Sequence, residues 1–339
     1  MSGTAMRREM LEQPAVLGRI IEESSALREQ VRAMVPDPLC GVVFVGRGSS
    51  DNAAMLGRYA AELAARRPAG LAAPSLYTRY PSAVDFRGYL AVALSQSGST
   101  EEVIAACEYM RAAGARVIAI TNQPTSRLAE ASELVLPAHA GEEVAIPATK
   151  TVTGEMALVL VVAAALGDGL PGLEELDRLP EAAGQILDEE DAPRSLAASW
   201  AGHDRCLVTA RGLLYAAALE TALKVKETAR LLAEGISAAD LVHGPIAAVD
   251  RYLPVLVLDG GLPLEADQAA LLARLESLGA PTATCAPRAG STLAMPAGLP
   301  EVLYAVLATI RGQQLAYELS LARGLDPDRP SGLAKVTQV

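Results

Sequence analysis

The chain has 339 residues, a formal net charge of −11 and a pI near 4.9, with 51% apolar but only 4% aromatic side chains. That length suffices for two ordinary domains, with a core built from Ala, Val and Leu rather than aromatic rings. An acidic chain without a basic run argues against a nucleic-acid partner and against an anionic membrane surface, while local cationic sites for a small anion stay open.

Residues 1–35 read as a polar amphipathic helical segment. CGVVFVG then runs into GRGSSDN, the pattern of a buried strand followed by a loop, and AAMLGRYAAELAARR is helical by composition and spacing. YLAVALSQSGSTEEV repeats the unit as strand, small polar loop and helix start. EEVIAACEYMRAAG predicts a helix ending in Gly, ARVIAITN and ELVLP two more strands, and GEEVAIPATKTVTGEMALVLVVAAALG a loop and a long apolar helix. Strands alternating with helices at this spacing imply a parallel α/β sheet.

Residues 168–200, rich in Glu, Leu and Pro, read as helical linker, after which a second round begins. RCLVTARGLLYAAALETALKVKE can be laid on VVFVGRGSSDNAAMLGRYAAEL with Gly212 on Gly48, both showing strand, Gly-containing turn and Ala-rich helix. PVLVLDG and PTATCAP are expected as later strands. The fold class read from this pattern is α/β, in two similar halves, each a parallel sheet flanked by helices. The expected divisions are 36–190 and 191–325, with a tail over 326–339.

The four cysteines, Cys40, Cys107, Cys206 and Cys285, form no CxxC pair, and the three histidines form no cluster with carboxylates, so neither a catalytic metal nor another cofactor is expected. The polar start predicts no secretory leader. The longest apolar run, Ala157–Gly167, is too short to span a bilayer, and a cytoplasmic protein with reduced thiols is the expectation.

SQSGST, Ser95–Thr100, is the most informative loop. It follows a buried strand and precedes a helix start, where open α/β sheets bind ligands. Small residues let backbone N–H groups approach a phosphate, and a helix N-terminus favours the anion. An ordinary helix cap needs one hydroxyl, whereas this loop has four, so ligand binding is the favoured reading. It is neither a GxxxxGK[ST] nucleotide loop nor GxGxxG. GRGSSDN, carrying Ser49 and Ser50, stands at the equivalent end of the first strand, as an ordinary turn or as a second hydroxyl loop converging on the same phosphorylated ligand.

A third constellation runs from Glu220 to His243. Glu220, Lys224 and Glu227 fall at i, i+4 and i+7 and share one helix face. A surface ion pair there would matter little. The surrounding Ala217, Ala218, Ala222, Val225 and Ala229 instead suggest a partly desolvated carboxylate of general-base character. His243 sits in HGP, a turn rather than a core. Lysine is scarce: Lys150, Lys224, Lys226 and Lys335 are the only four among 29 cationic side chains. An ammonium can lose its proton or form a Schiff base, as a guanidinium cannot, and it acts as a compact point charge on phosphate.

SQSG followed by Ser-Thr, the GEEVAIPATK segment, LETALKVKE, AEG with VHGP, and the terminal GLAKVTQ together resemble the sugar isomerase (SIS) family. The resemblance covers essentially the whole chain and is strongest to the isomerase domain of glucosamine-6-phosphate synthase and to SIS-type glucosamine-6-phosphate deaminases. It implies that Ser95, Gln96, Ser97 and Thr100 hold a sugar phosphate, with Ser49 and Ser50 contributing. Glu227 would move a proton between C1 and C2 with Lys224 beside it. His243 would assist ring opening on a loop that reaches the partner subunit's site, which implies a homodimer with shared active sites. Lys335 would contact the sugar and could form a Schiff base with an open-chain ketose, Lys150 would flank the site, and Lys226 has no such role.

One departure shapes the functional expectation. The synthase begins with a glutaminase domain whose N-terminal Cys releases ammonia, whereas this sequence starts MSGTA and has no Cys before Cys40. The expected reaction is therefore breakdown: glucosamine 6-phosphate plus water to fructose 6-phosphate plus ammonia. The rival readings are an isomerase or deaminase of another phosphorylated amino- or ketosugar, and a non-catalytic sugar-phosphate sensor, for which residues 1–35 are too short to supply a DNA-binding element.

Overall fold

A computed structural model describes residues 3–335. The chain divides into two compact units. One comprises Ala15–Glu143 with Lys150–Asp177; the other comprises the residues up to Pro14, Val144–Thr149 and Arg178–Lys335.

In the first unit five strands, β1 (Gly41–Val45), β2 (Ala69–Leu71), β3 (Tyr89–Leu94), β4 (Arg116–Thr121) and β5 (Leu134–Pro137), form a sheet of order β2-β1-β3-β4-β5. All neighbours run parallel. The expected strands are present, and the apolar runs are buried on both faces because helices cover each side. The Lys150–Leu166 helix is buried along nearly its whole length, which accounts for its all-round apolar sequence, and it packs against the Ser49–Ala65 helix.

The second unit repeats the plan. Strands β6 (Arg205–Ala210), β7 (Leu232–Ser237), β8 (Val255–Leu258), β9 (Thr282–Ala286) and β10 (Leu293–Ala294) form a parallel sheet of order β10-β9-β8-β6-β7. Read from β7, this is the strand order of the first sheet. Gly48 and Gly212, aligned in sequence, both take positive φ (58° and 67°) in the turn that leads into a helix. Two similar halves, each a parallel sheet flanked by helices, are thus the architecture.

The N-terminal segment is not one helix but two, Thr4–Leu11 and Gln13–Met34. Pro14 lacks the N–H that would serve Met10 O; the Gln13 side-chain amide donates to that carbonyl instead, at 3.0 Å. The linker region is helical as expected, with Leu179–Leu187 and Asp191–Trp200. Among the described residues no helix is long and apolar enough to cross a membrane.

Candidate active site

In the first sheet the chain reverses its direction of strand addition between β1 and β3, so the loops after these two strands flank the switch-point crevice. They are GRGSS and SQSGST, which leave adjacent strands paired at Val45 and Ala93. In SQSGST, Gly98 has φ +60°, and a Cβ there would lie 2.0 Å from Ser126 Oγ, so only glycine fits. Ser95 is buried and its hydroxyl lies 3.1 Å from that of Thr100; Ser97 and Ser99 hydroxyls lie 2.8 Å apart. The backbone is pinned by Ser95 N to Ile120 O, Asn122 N to Gln96 O and Leu128 N to Gly98 O.

Thr100 stands at the N-cap of the Glu101–Ala112 helix, yet its hydroxyl makes no capping bond. A mere cap is therefore not what this hydroxyl does; it meets Ser95 instead. The charges flanking the loop are neutralised: Arg47 Nη2 lies 2.8 Å from Glu102 Oε2, and Arg127 pairs with Glu101.

Ser49 opens the Ser49–Ala65 helix, half-buried in the crevice wall. Ser50 is placed differently. It is buried and its hydroxyl donates to Glu155 Oε1 at 3.0 Å. Its one proton is thus committed to a carboxylate, and Ser50 holds no free donor for a phosphate in this arrangement. Glu155, itself 1% exposed, is the lone acid within the apolar run GEMALVLVVAAALG. That isolation in the sequence is the signal that could have marked it.

In the second unit the Tyr215–Ala229 helix carries Glu220, Lys224 and Glu227 on one face, as its spacing predicts. They do not form the weak surface pair that spacing alone allows. Glu220 and Lys224 are each 1% exposed and Glu227 is 22% exposed. Lys224 Nζ lies 3.4 Å from Glu220 Oε1 and donates to Glu227 Oε2. Burial alone would push the Lys224 pKa down, but the two carboxylates outweigh it and hold the ammonium above the ordinary lysine range. An ammonium held by two carboxylates can steady negative charge on Glu227 and on a reacting oxygen. The more water-shielded carboxylate is Glu220; Glu227 is the one with solvent access.

His243 follows the short Ala238–Val242 helix, exposed, in a turn that uses Gly244 at φ 142°. Lys335, the last described residue, donates from Nζ to Ala145 O at 2.6 Å. The Val144–Thr149 segment that receives it is fixed by the fully buried Glu9, whose carboxylate accepts from Val144 N and Ala145 N, and by Ile146 N donating to Asp328 O. Lys150 begins the buried apolar helix and is 2% exposed, whereas Lys226 is exposed. The tail expectation over 326–339 lies partly outside the described residues, from 336 onward. No group of three potential metal ligands occurs among the described residues.

The second sheet has its own switch point, between β6 and β8. Here the loops carry Arg211–Gly212 and Asp259–Gly260–Gly261. Asp259 is buried, accepts from Gly261 N at 2.8 Å, and lies 2.8 Å from Arg288 Nη1. A Cβ on Gly212 would come within 3.3 Å of Glu301 Oε1, so the Glu301 carboxylate overlies this turn. Burial, reinforced by Asp259, pushes the Glu301 pKa up to about 7.

The SIS domain family matches this chain twice, over residues 41–165 and 201–319. Glutamine--fructose-6-phosphate aminotransferase [isomerizing] of Zymomonas mobilis is 33% identical over 98% of this chain and 58% of its own length; the corresponding protein of Streptomyces coelicolor is likewise 33% identical over 98% of this chain. The chain spans rather less than two thirds of these relatives. Among solved structures, the C-terminal domain of glucosamine-fructose-6-phosphate aminotransferase from Francisella tularensis superposes with a TM-score of 0.86 at 25% identity, covering 97% of this chain and 98% of that one. Glucosamine-6-phosphate deaminase from Thermotoga maritima shares the fold, with a TM-score of 0.68 at 23% identity over 93% of this chain and 98% of its own.

Proposed function

Because the chain belongs to the SIS domain family, we propose that it is an aldose–ketose enzyme of aminosugar phosphates. Its reaction is glucosamine 6-phosphate plus water giving fructose 6-phosphate plus ammonia. The observation that carries this reading is the Glu220–Lys224–Glu227 face, in which Glu220 and Lys224 are buried and Glu227 keeps partial solvent access. Its support is the hydroxyl loop at the first switch point and the fructose 6-phosphate named in the relatives.

Ser95, Gln96, Ser97 and Thr100 bind the phosphate, with Ser49 adding a hydroxyl, while Ser50 anchors the start of its helix to Glu155. His243 assists ring opening by passing a proton to the ring oxygen, which leaves an aldehyde at C1 and the amine at C2. Glu227 removes the C2 proton, giving an enolamine, and returns it to C1, leaving an iminium at C2. Lys224 stabilises the charge that accumulates during this relay. Water adds to C2, ammonia leaves, and the ketone remains. Lys335 contacts the open-chain sugar. A homodimer in which the His243 loop serves the partner's site completes the reading.

The test is direct. Purified protein is mixed with glucosamine 6-phosphate, and ammonia and fructose 6-phosphate are followed together; absence of both at micromolar enzyme sinks the proposal. Ketose formed without ammonia from another phosphosugar in a substrate panel would favour a simple isomerase instead.

A further inference from the structure

We propose that Thr228 and Ser320 form a hydroxyl staple that fixes the rotation of the Tyr215–Ala229 helix and so positions Glu227 and Lys224. This rests on the reading of that helix as the proton-transfer element. The Glu301–Ala322 helix packs along it with a face of small residues, Gly312, Ala316 and Ser320, at i, i+4 and i+8. The approach is close: a Cβ on Gly312 would fall 2.0 Å from Thr221 Oγ1 and 2.8 Å from its Cβ. Two turns further along the helix from Thr221, Thr228 Oγ1 lies 2.9 Å from Lys224 O and 3.0 Å from Ala316 O. Ser320 Oγ donates to Thr228 O at 3.0 Å. Both hydroxyls are buried, at 1% and 0% exposure.

Two features make this more than ordinary helix packing. The bonds reach backbone carbonyls on both helices, so they constrain main chain and not only side chains. Thr221 and Thr228 also sit roughly a quarter turn around the helix from the Glu220–Lys224–Glu227 face. A small rotation about the helix axis, which packing of Ala on Gly alone would tolerate, would swing the charged face. Thr228 directly follows Glu227, and the helix ends one residue later at Ala229, with Arg230 beyond it in the left-handed region. Without the staple this last turn is free to fray, and Glu227 with it.

Thr228→Val keeps the shape and removes the donor, Thr228→Ser keeps the donor, and Ser320→Ala removes the second bond with no change of packing elsewhere. With glucosamine 6-phosphate as substrate, Thr228→Val is expected to lower kcat about tenfold with KM within about twofold, and Thr228→Ser to recover most of it. A second readout needs no turnover. Reductive methylation with formaldehyde and cyanoborohydride, read by peptide mass spectrometry, compares buried Lys224 with exposed Lys226 two residues away. The Lys224-to-Lys226 labelling ratio should rise about fivefold in Thr228→Val and in Ser320→Ala, and stay at the wild-type value in Thr228→Ser. An unchanged ratio in both donor-less variants, or an equal rise in Thr228→Ser, overturns the staple. If Thr228→Val does not fold, Ser320→Ala decides. A wild-type protein without turnover sinks the proposed reaction but leaves the labelling experiment to judge the staple.

Discussion

After β3 the chain offers hydroxyls; after β8, at the same place in a sheet of the same order, it offers a carboxylate. The first crevice presents Ser95, Ser97, Ser99 and Thr100 around a glycine turn, its neighbouring glutamates neutralised by Arg47 and Arg127. The second is occupied by Asp259, paired to Arg288, and by Glu301 lying over the Gly212 turn. One presents hydroxyl donors, and the other presents carboxylates. The duplicated fold supplies two equivalent crevices, and their side chains differ in chemistry. In the proposed reaction the second half acts through the helix after β6, whose carboxylate–ammonium–carboxylate face has no counterpart on the Ser49–Ala65 helix.

This division of labour can be broken by mutation. Glu227→Gln should lower turnover by about a thousandfold while fructose 6-phosphate still binds by calorimetry, since proton transfer is lost and the phosphate crevice is untouched. Joint loss of binding would erase the distinction between a holding half and a reacting half. Gly98→Ala forces a side chain into Ser126 at a left-handed position, and the displaced loop should weaken sugar-phosphate binding about a hundredfold. Ser95→Ala removes one hydroxyl from the cradle and should cost about tenfold in the same titration, with Ser50→Ala costing thermal stability through Glu155 more than affinity.

The smallest effect concerns the second crevice. Glu301 binds its proton more tightly in the folded chain than in the unfolded one. Its contribution to stability is therefore present at acid pH and declines as pH rises from its ordinary 4.5 through about 7. Glu301→Gln should match wild type near pH 4 and melt higher at pH 8, by about 1 kcal/mol once solvent screening of this half-buried group is allowed for. A parallel pair of melting curves across that range would show whether the second crevice tolerates its carboxylates without strain; identical curves at pH 8 would mean that it does.

Local pattern carries much of the fold. The central strands read from apolar runs such as CGVVFVG and RCLVTARG because burial on both faces leaves no polar position. The strands that lack such a signal, β2, β7 and β10, all lie at sheet edges. Edge strands are short or carry polar residues, as Glu234 does in LAEGIS, and sequence periodicity has little to grip there. The shared face of Glu220, Lys224 and Glu227 follows from helical spacing, but spacing does not tell a solvated pair from one in which Glu220 and Lys224 are each 1% exposed. Likewise, the two adjacent serines in GRGSS are equivalent in sequence. Folding turns one toward the crevice and binds the other to Glu155, a residue more than a hundred positions away.

The sequence by itself determined the alternation of strands and helices, the internal duplication, the hydroxyl loops and the residues capable of acid–base chemistry, because these follow from local pattern and residue type. Tertiary structure alone decided which of those groups lose water and which partner each one meets. Desolvation and pairing depend on neighbours distant in the chain, and it is those neighbours that keep Lys224 charged, occupy Ser50 and raise the Glu301 pKa.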